Sequence, residues 1–375
     1  MRTVHDIYLI PGFFGFANLG RLTYFGHIRP VLLEGAAARG LTARVHVVKT
    51  DPTASLSRRA ARLAETIART ASRGDGPIHL IGHSSGGMDG RLFACPGVLL
   101  PTTVDVERFA GRLASVITVS TPHHGTPLAS FLASRLGQEF LKALSVITIH
   151  VLRYGHVPLR AVLAPAAQLA RLDTVAFDST LLDHVFHAVL GDFSVGRRRA
   201  VSRLFTEIAK DQSLLTQLTP AVTELFNATT RDRPGVRYGS VVTRSAVPSL
   251  RTLRLAGLDP AAQVLHSIYA TLYRLTADTP RDSAPALNPA QRKTLRSAYG
   301  RVPGPGSNDG IVPTRSQVWG TVIAATTADH LDVIGHFTDA STRPPHVDWL
   351  TTGSGFTPEE YAKVWTRVLD FLAPG

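Results

Sequence analysis

The stretch Ile78-His79-Leu80-Ile81-Gly82-His83-Ser84-Ser85-Gly86-Gly87-Met88 decides the reading of this chain. Ile78 to Ile81 is a short apolar run suited to a buried strand, and Met88, Leu92 and Phe93 fit a helix behind it. Between them, Ser84 sits in the pattern Gly-x-Ser-x-Gly. Strand, sharp turn and helix in that order are what a nucleophile elbow needs. The turn strains the serine backbone, glycines on either side remove side chains that would clash, and the helix N-terminus favours negative charge nearby. The pentad alone is a weak signal, because short glycine-containing motifs arise by chance. Its weight comes from the flanking strand and helix; a glycine-rich turn whose Ser is only a helix cap is the bland alternative.

Working outward, Val4 to Ile10 reads as a buried strand running into Pro11-Gly12-Phe13-Phe14-Gly15, and Ala43 to Val48 as a second strand. Leu56, Ala60, Leu63, Ala64, Ile67 and Ala71 recur at helical spacing, with Gly74 as a stop. Val116 to Val119 and Val236 to Val242 are further strand candidates. The last element is a helix with Thr357 as cap, Pro358 in the first turn, Glu360 as the reciprocal capping acid and Tyr361, Val364, Trp365, Val368 and Leu372 as its apolar stripe. Strands alternating with helices predict an α/β fold, a mostly parallel sheet with helices on both faces. The alternation lapses twice. Residues 1–129, 235–244 and 305–375 are assigned to the core, and 130–234 and 245–304 to helical cap or lid insertions.

The 375 residues carry 40 basic and 28 acidic side chains, a net charge of +12, and only five of the basic residues are Lys. An arginine excess can attract nucleic acid, anionic lipid or acidic substrate. Beyond Arg197-Arg198-Arg199 there is no basic block, and aromatics are not interleaved with it. That argues against nucleic acid as a partner. One cysteine, Cys95, excludes an internal disulfide and reads as a small buried residue at a helix end. Met1 to Asp6 lacks the apolar core of an export signal, and Ala143 to Leu152 is too short to span a bilayer. The expectation is a cytoplasmic chain without a transmembrane segment, or a secreted one if a signal was trimmed.

A serine hydroxyl needs a histidine to take its proton, and the imidazolium needs a carboxylate to hold its tautomer. In this architecture the chain order is Ser, acid, His. Ser307-Asn308-Asp309-Gly310 puts an acid in a turn, and Ala328-Asp329-His330-Leu331-Asp332 puts a histidine in a polar loop after the apolar run Thr321 to Ala325. Asp309 and His330 are the favoured pair. His336 is the rival base, and Asp329 and Asp332 are rival orienters. The oxyanion that forms on a carbonyl needs backbone donors, expected at the amides of Ser85 and Phe13. His123 and His124 are expected near the site as loop hydrogen-bonders.

Taken together, these pieces resemble the bacterial true lipases, lipolytic family I of the triacylglycerol hydrolases. The matching stretches are Ile10 to Phe16, Tyr24-Phe25-Gly26, Gly82 to Met88, Thr121 to Pro127, Asn308 to Pro313 and Asp329 to Asp332, with Gly235 to Tyr238 and Ser240 weaker. The resemblance implies an α/β-hydrolase fold, Ser84 as nucleophile, Asp309 as orienter, His330 as base and Phe13 as oxyanion donor. Two departures stand out. Where the family has His-Gly, this chain has Pro11-Gly12, so a side chain supporting the oxyanion loop is missing. Of the family's calcium ligands only Asp332 matches; the second carboxylate falls at Leu287 and Asn288 and the Gln ligand at His336. No metal or other cofactor is therefore expected.

The expected activity is hydrolysis of a carboxylic ester through an acyl-enzyme, a lipase or esterase. A thioesterase, amidase or acyltransferase would use the same three residues, and a non-catalytic lipid- or anion-binding protein would use the arginine-rich surface instead. Phe131, Leu132, Phe140, Leu141, Leu144, Ile147, Ile149, Val151 and Leu152 suit either a lid that contacts a lipid interface transiently or ordinary packing onto the core.

Overall fold

In the computed structural model six parallel strands form one sheet in the order β2-β1-β3-β4-β5-β6. The strands are β1 (Val4–Ile10), β2 (Thr42–Val47), β3 (Ile78–His83), β4 (Leu113–Val119), β5 (Arg237–Arg244) and β6 (Thr321–Thr327). The structure describes residues 3–13, 24–71, 75–154, some positions between 187 and 206, 211–255, 257, 260–279, 285–342, 346, 348 and 350–373.

The pleat explains why these strands are apolar nearly throughout. On β1, Ile7 and Leu9 join one buried cluster while Tyr8 and Ile10 join another. Ile81 and Ile78/Leu80 divide in the same way on β3, as do Ile117/Val119 and Leu113/Val116 on β4. A sheet covered on both faces has no wet side, so alternation of polar and apolar residues is lost. One face packs on the helix Ile28–Ala38 and on the C-terminal helix Pro358–Leu372, whose Trp365 is fully buried and donates its indole N–H to the Val333 carbonyl at 3.0 Å. The other packs on the helix Leu56–Thr70 and on Phe93 and Ala94 of the helix Ser85–Ala94.

Several boundaries move from the sequence reading. The helix from Leu56 ends at Thr70, before the expected stop at Gly74, which lies outside the described residues. β3 extends through His83, so the strand delivers Ser84 directly. Thr357 Oγ1 accepts from the Glu360 N–H at 3.3 Å, but Glu360 turns its carboxylate to Lys363 Nζ at 2.6 Å instead of returning to the cap. Phe140, Leu141, Leu144 and Ile147 of the helix Arg135–Tyr154 are buried in the same cluster as Leu265, Ile268 and Leu272 of the helix Pro260–Ala277. The side chains of Ile149, Val151 and Leu152, and Phe14, Gly15, Phe16 and Arg197, lie outside the described residues. No described helix is long and apolar enough to cross a membrane.

The strand order positions the site. β1 lies between β2 and β3, so the chain leaves β1 toward one side and returns to the other. The loops after β1 and β3 therefore part at their C-terminal ends, and a crevice opens at that switch point. Ser84, after β3, and Gly12, after β1, lie against each other there.

Candidate active site

Ser84 joins β3 to the helix Ser85–Ala94 with φ 55° and ψ −133°. Only Ser84 and Ser120 have positive φ among the described non-glycine residues. Such a conformation costs about 1–3 kcal/mol and persists only where the surroundings enforce it. Here the enforcement is close packing of backbone. A Cβ on Gly86 would lie 2.2 Å from the Ile10 carbonyl oxygen, and one on Gly82 would lie 2.4 Å from Gly86. Glycine at both positions lets the helix sit against β1 and β3, and the Ser84 N–H is anchored to the Val119 carbonyl at 2.8 Å. Ser84 is 7% exposed and its hydroxyl makes no hydrogen bond to the described residues.

The loop after β1 lies directly against this serine: a Cβ on Gly12 would stand 3.0 Å from Ser84 Oγ. Arg59 holds the loop from one side. Its guanidinium donates to the Pro11 carbonyl at 2.7 Å and to the Asp51 carbonyl at 2.9 Å, and pairs with Asp89 at 2.7 Å, both side chains fully buried. Nothing in the local sequence marks Arg59 or Asp89 as a pair; helical spacing says only that Arg59 lies beside the buried Ala60.

Asp309 and His330 come together, although 21 residues separate them. Asp309 Oδ2 lies 2.9 Å from His330 Nδ1. The carboxylate is fully buried and also accepts from Thr243 Oγ1 at 2.8 Å, Gln317 Nε2 at 3.1 Å and the Ile311 and Val312 N–H groups at 3.0 and 2.8 Å. With four donors already on the carboxylate, the His330 contact has Nδ1–H donating to Oδ2, and Nε2 is the nitrogen on the other edge of the ring. The His330 N–H donates to the Asp309 carbonyl at 3.1 Å, which ties the two loops together. His336 takes a different role. Its Nε2 contacts the Tyr24 carbonyl at 3.2 Å, and burial lowers its pKa to about 4. Neither Asp329 nor Asp332 is bonded to His330; Asp329 Oδ1 accepts from the Leu331 and Asp332 N–H groups, and Asp332 Oδ2 from the Asp329 N–H. His123 bonds Thr118 Oγ1 at 3.0 Å and Arg91 at 3.2 Å, and burial keeps it far below the usual histidine range.

Asp329, Asp332 and Asp348 form an acidic cluster, each offering an oxygen within 4.8 Å of the others. Burial first, and mutual repulsion second, push all three carboxyls well above their ordinary range. Asp329 Oδ2 is buried without a hydrogen-bond partner. Three carboxylates and no soft ligand fit a hard cation such as calcium. Sequence reasoning reached Asp332 but gave Asp329 another role and missed Asp348, which lies in a different loop. Leu287 is instead buried against Val242 and Leu295, and Asn288 caps the helix Pro289–Tyr299.

The whole arrangement lies at the C-terminal edge of the sheet, where α/β folds place their sites. Neither a protein-family model nor a curated protein matches the chain. Solved structures do. Lipase 1 from Pelosinus fermentans superposes with a TM-score of 0.52 at 19% identity, covering 99% of both chains. EstA from Clostridium botulinum gives 0.51 at 18% identity, over 98% of this chain and 87% of its own. The fold is the α/β-hydrolase fold. At these identities the likeness establishes architecture, and the residues at the crevice carry the chemical argument.

Proposed function

We propose that the protein is a serine carboxylic-ester hydrolase, a lipase or esterase. The observation that carries this reading is the buried Asp309–His330 hydrogen bond at the sheet edge where β3 presents a strained Ser84. Asp309 holds His330 with Nδ1 protonated, and Nε2 takes the Ser84 proton as Oγ attacks the ester carbonyl. The oxyanion is received by the amides of Phe13 and Ser85. Ser85 is the first residue of its helix, so its N–H has no partner within that helix. His330 then protonates the departing alcohol, and water, activated by the same ring, releases the acid and restores Ser84. Asp329, Asp332 and Asp348 would hold a calcium ion, which would offset their negative charge beside the His330 loop; no step passes through it.

Ser84→Ala tests this reading on a p-nitrophenyl ester series. Loss of one member of such a triad lowers kcat by about 10⁴–10⁶-fold. Retention of wild-type hydrolysis, or failure of a fluorophosphonate to label Ser84, refutes it.

A further inference from the structure

The oxyanion loop of this chain has proline where the lipases it resembles have a supporting histidine, and Tyr24 is a motif residue that the triad leaves without a role. The two facts meet in one chain of hydrogen bonds. The Gly12 N–H donates to Tyr24 Oη at 3.2 Å, Tyr24 Oη lies 2.6 Å from His83 Nδ1, and His83 Nε2 lies 2.8 Å from the main-chain carbonyl of His330. All of these groups are buried.

The His330 carbonyl can only accept, so His83 Nε2 carries a proton. In a neutral ring Nδ1 is then an acceptor, so the Tyr24 hydroxyl donates to it, and the Tyr24 oxygen accepts from the Gly12 amide, which can only donate. Burial, with the His330 ring as the next contribution, holds His83 well below the ordinary histidine range, and burial pushes the Tyr24 phenol up, so neither group changes charge near neutrality.

We propose that Tyr24 and His83 are positioning residues that lock the oxyanion loop, through Gly12, to the loop bearing the His330 base. The inference rests on the ester-hydrolase reading, since it assigns these two residues to the same reaction. Both side chains direct their polar atoms to Gly12, to each other and to the His330 carbonyl. The chain fixes the Gly12 N–H, one peptide before the Phe13 amide, relative to the loop of His330, so that the oxyanion donor and the base act on one carbonyl. A displacement of about 1 Å in such a group costs on the order of 10²-fold in rate.

Tyr24→Phe removes one hydroxyl. The test is kcat and KM on a p-nitrophenyl ester, with kcat referred to active sites titrated by a phosphonate. The expected result is a 10- to 100-fold fall in kcat per titrated site with KM within about twofold, since an oxyanion contact strengthens in the transition state. A merely structural role would lower the titre and Tm and leave kcat per site unchanged, and that outcome overturns the proposal. His83→Gln should fall similarly in kcat, and the Tyr24→Phe/His83→Gln double variant no further than the worse single, because the pair acts as one unit. Additive losses count against it. Ring ¹⁵N shifts in the wild-type protein provide a readout independent of variant folding: Nε2–H on His83 is expected, and Nδ1–H refutes the chain. Wild-type protein inert toward esters and phosphonate refutes the ester-hydrolase reading and this inference together, whereas an active wild type with an unaffected Tyr24→Phe refutes this inference alone.

Discussion

Ser84 combines chemistry with cost. Its φ of 55° belongs to backbone that a side chain disfavours, and the close approach of Gly82, Gly86 and Gly12 shows why the chain tolerates it. Ser84→Gly is expected to raise stability by about 1 kcal/mol as the strain is relieved, while abolishing hydrolysis; Ser84→Ala should leave stability near wild type. Urea unfolding of both variants checks this, and a destabilised Ser84→Gly would show that the turn is not strained. The histidines separate as sharply. His330→Ala should lose several orders of magnitude in kcat. His336→Ala, which loses a contact to the Tyr24 carbonyl and edge-on packing against the Tyr24 ring, should keep activity within about tenfold. Equal losses would reopen the choice of base. Arg59→Met strips the buried Asp89 carboxyl, which burial already pushes up to about 6, of its counter-ion and frees the Pro11 carbonyl, a change that costs about 3–5 kcal/mol by chemical denaturation. No such loss would mean the pair is not closed.

At the scale of elements, the far end of the sheet carries its own titration. His5 on β1 and His79 on β3 meet at 3.0 Å, with His79 also bonded to Ser115 on β4 at 2.9 Å. Burial lowers His79 to about 3 and lowers His5 as well, while Asp6 pulls His5 upward. An unfolded histidine titrates near 6.5, so below that pH the unfolded chain binds protons that the folded chain refuses. Stability is then full above about pH 6.5 and falls as pH drops toward 3. One such histidine contributes a slope of at most about 1.4 kcal/mol per pH unit. Urea midpoints between pH 7 and 4 check it; a midpoint constant over that range, or the same slope in His79→Leu, contradicts the assignment. β1 to β5, the helix from Leu56, the helix behind Ser84 and the C-terminal helix were legible in the sequence because apolar runs and the helix period are local; β6 was read only as an apolar run, and the helix Ile28–Ala38 was not read. β1 was read at its observed bounds, and β3 was read short because Gly82 and His83 do not look apolar. The Glu360 capping box failed for a reason beyond periodicity: Lys363 competes for the same carboxylate.

Across the whole molecule, distant loops converge at one sheet edge, and the acidic cluster is the case that depends most on that convergence. Asp329 and Asp332 follow β6, and Asp348 arrives from a later loop. Their shared burial opposes their charge, so a bound cation should stabilise the fold. At 100 times its Kd, calcium is expected to add about 2.7 kcal/mol, seen as a rise in Tm that EGTA reverses and that Asp348→Asn or Asp332→Asn removes. No shift in Tm with millimolar calcium would exclude the site. The order of the motifs, Ser84 before Asp309 before His330, and the α/β character of the chain follow from the sequence by itself, because turn chemistry and apolar runs act over a few residues. Only the tertiary structure decided that His330 and not His336 faces Asp309, that Arg59 and Tyr24 hold the Pro11-Gly12 loop, and that Asp348 joins Asp332. Those pairings are distances between residues far apart in the chain, set by strand order and by which buried polar groups must be satisfied.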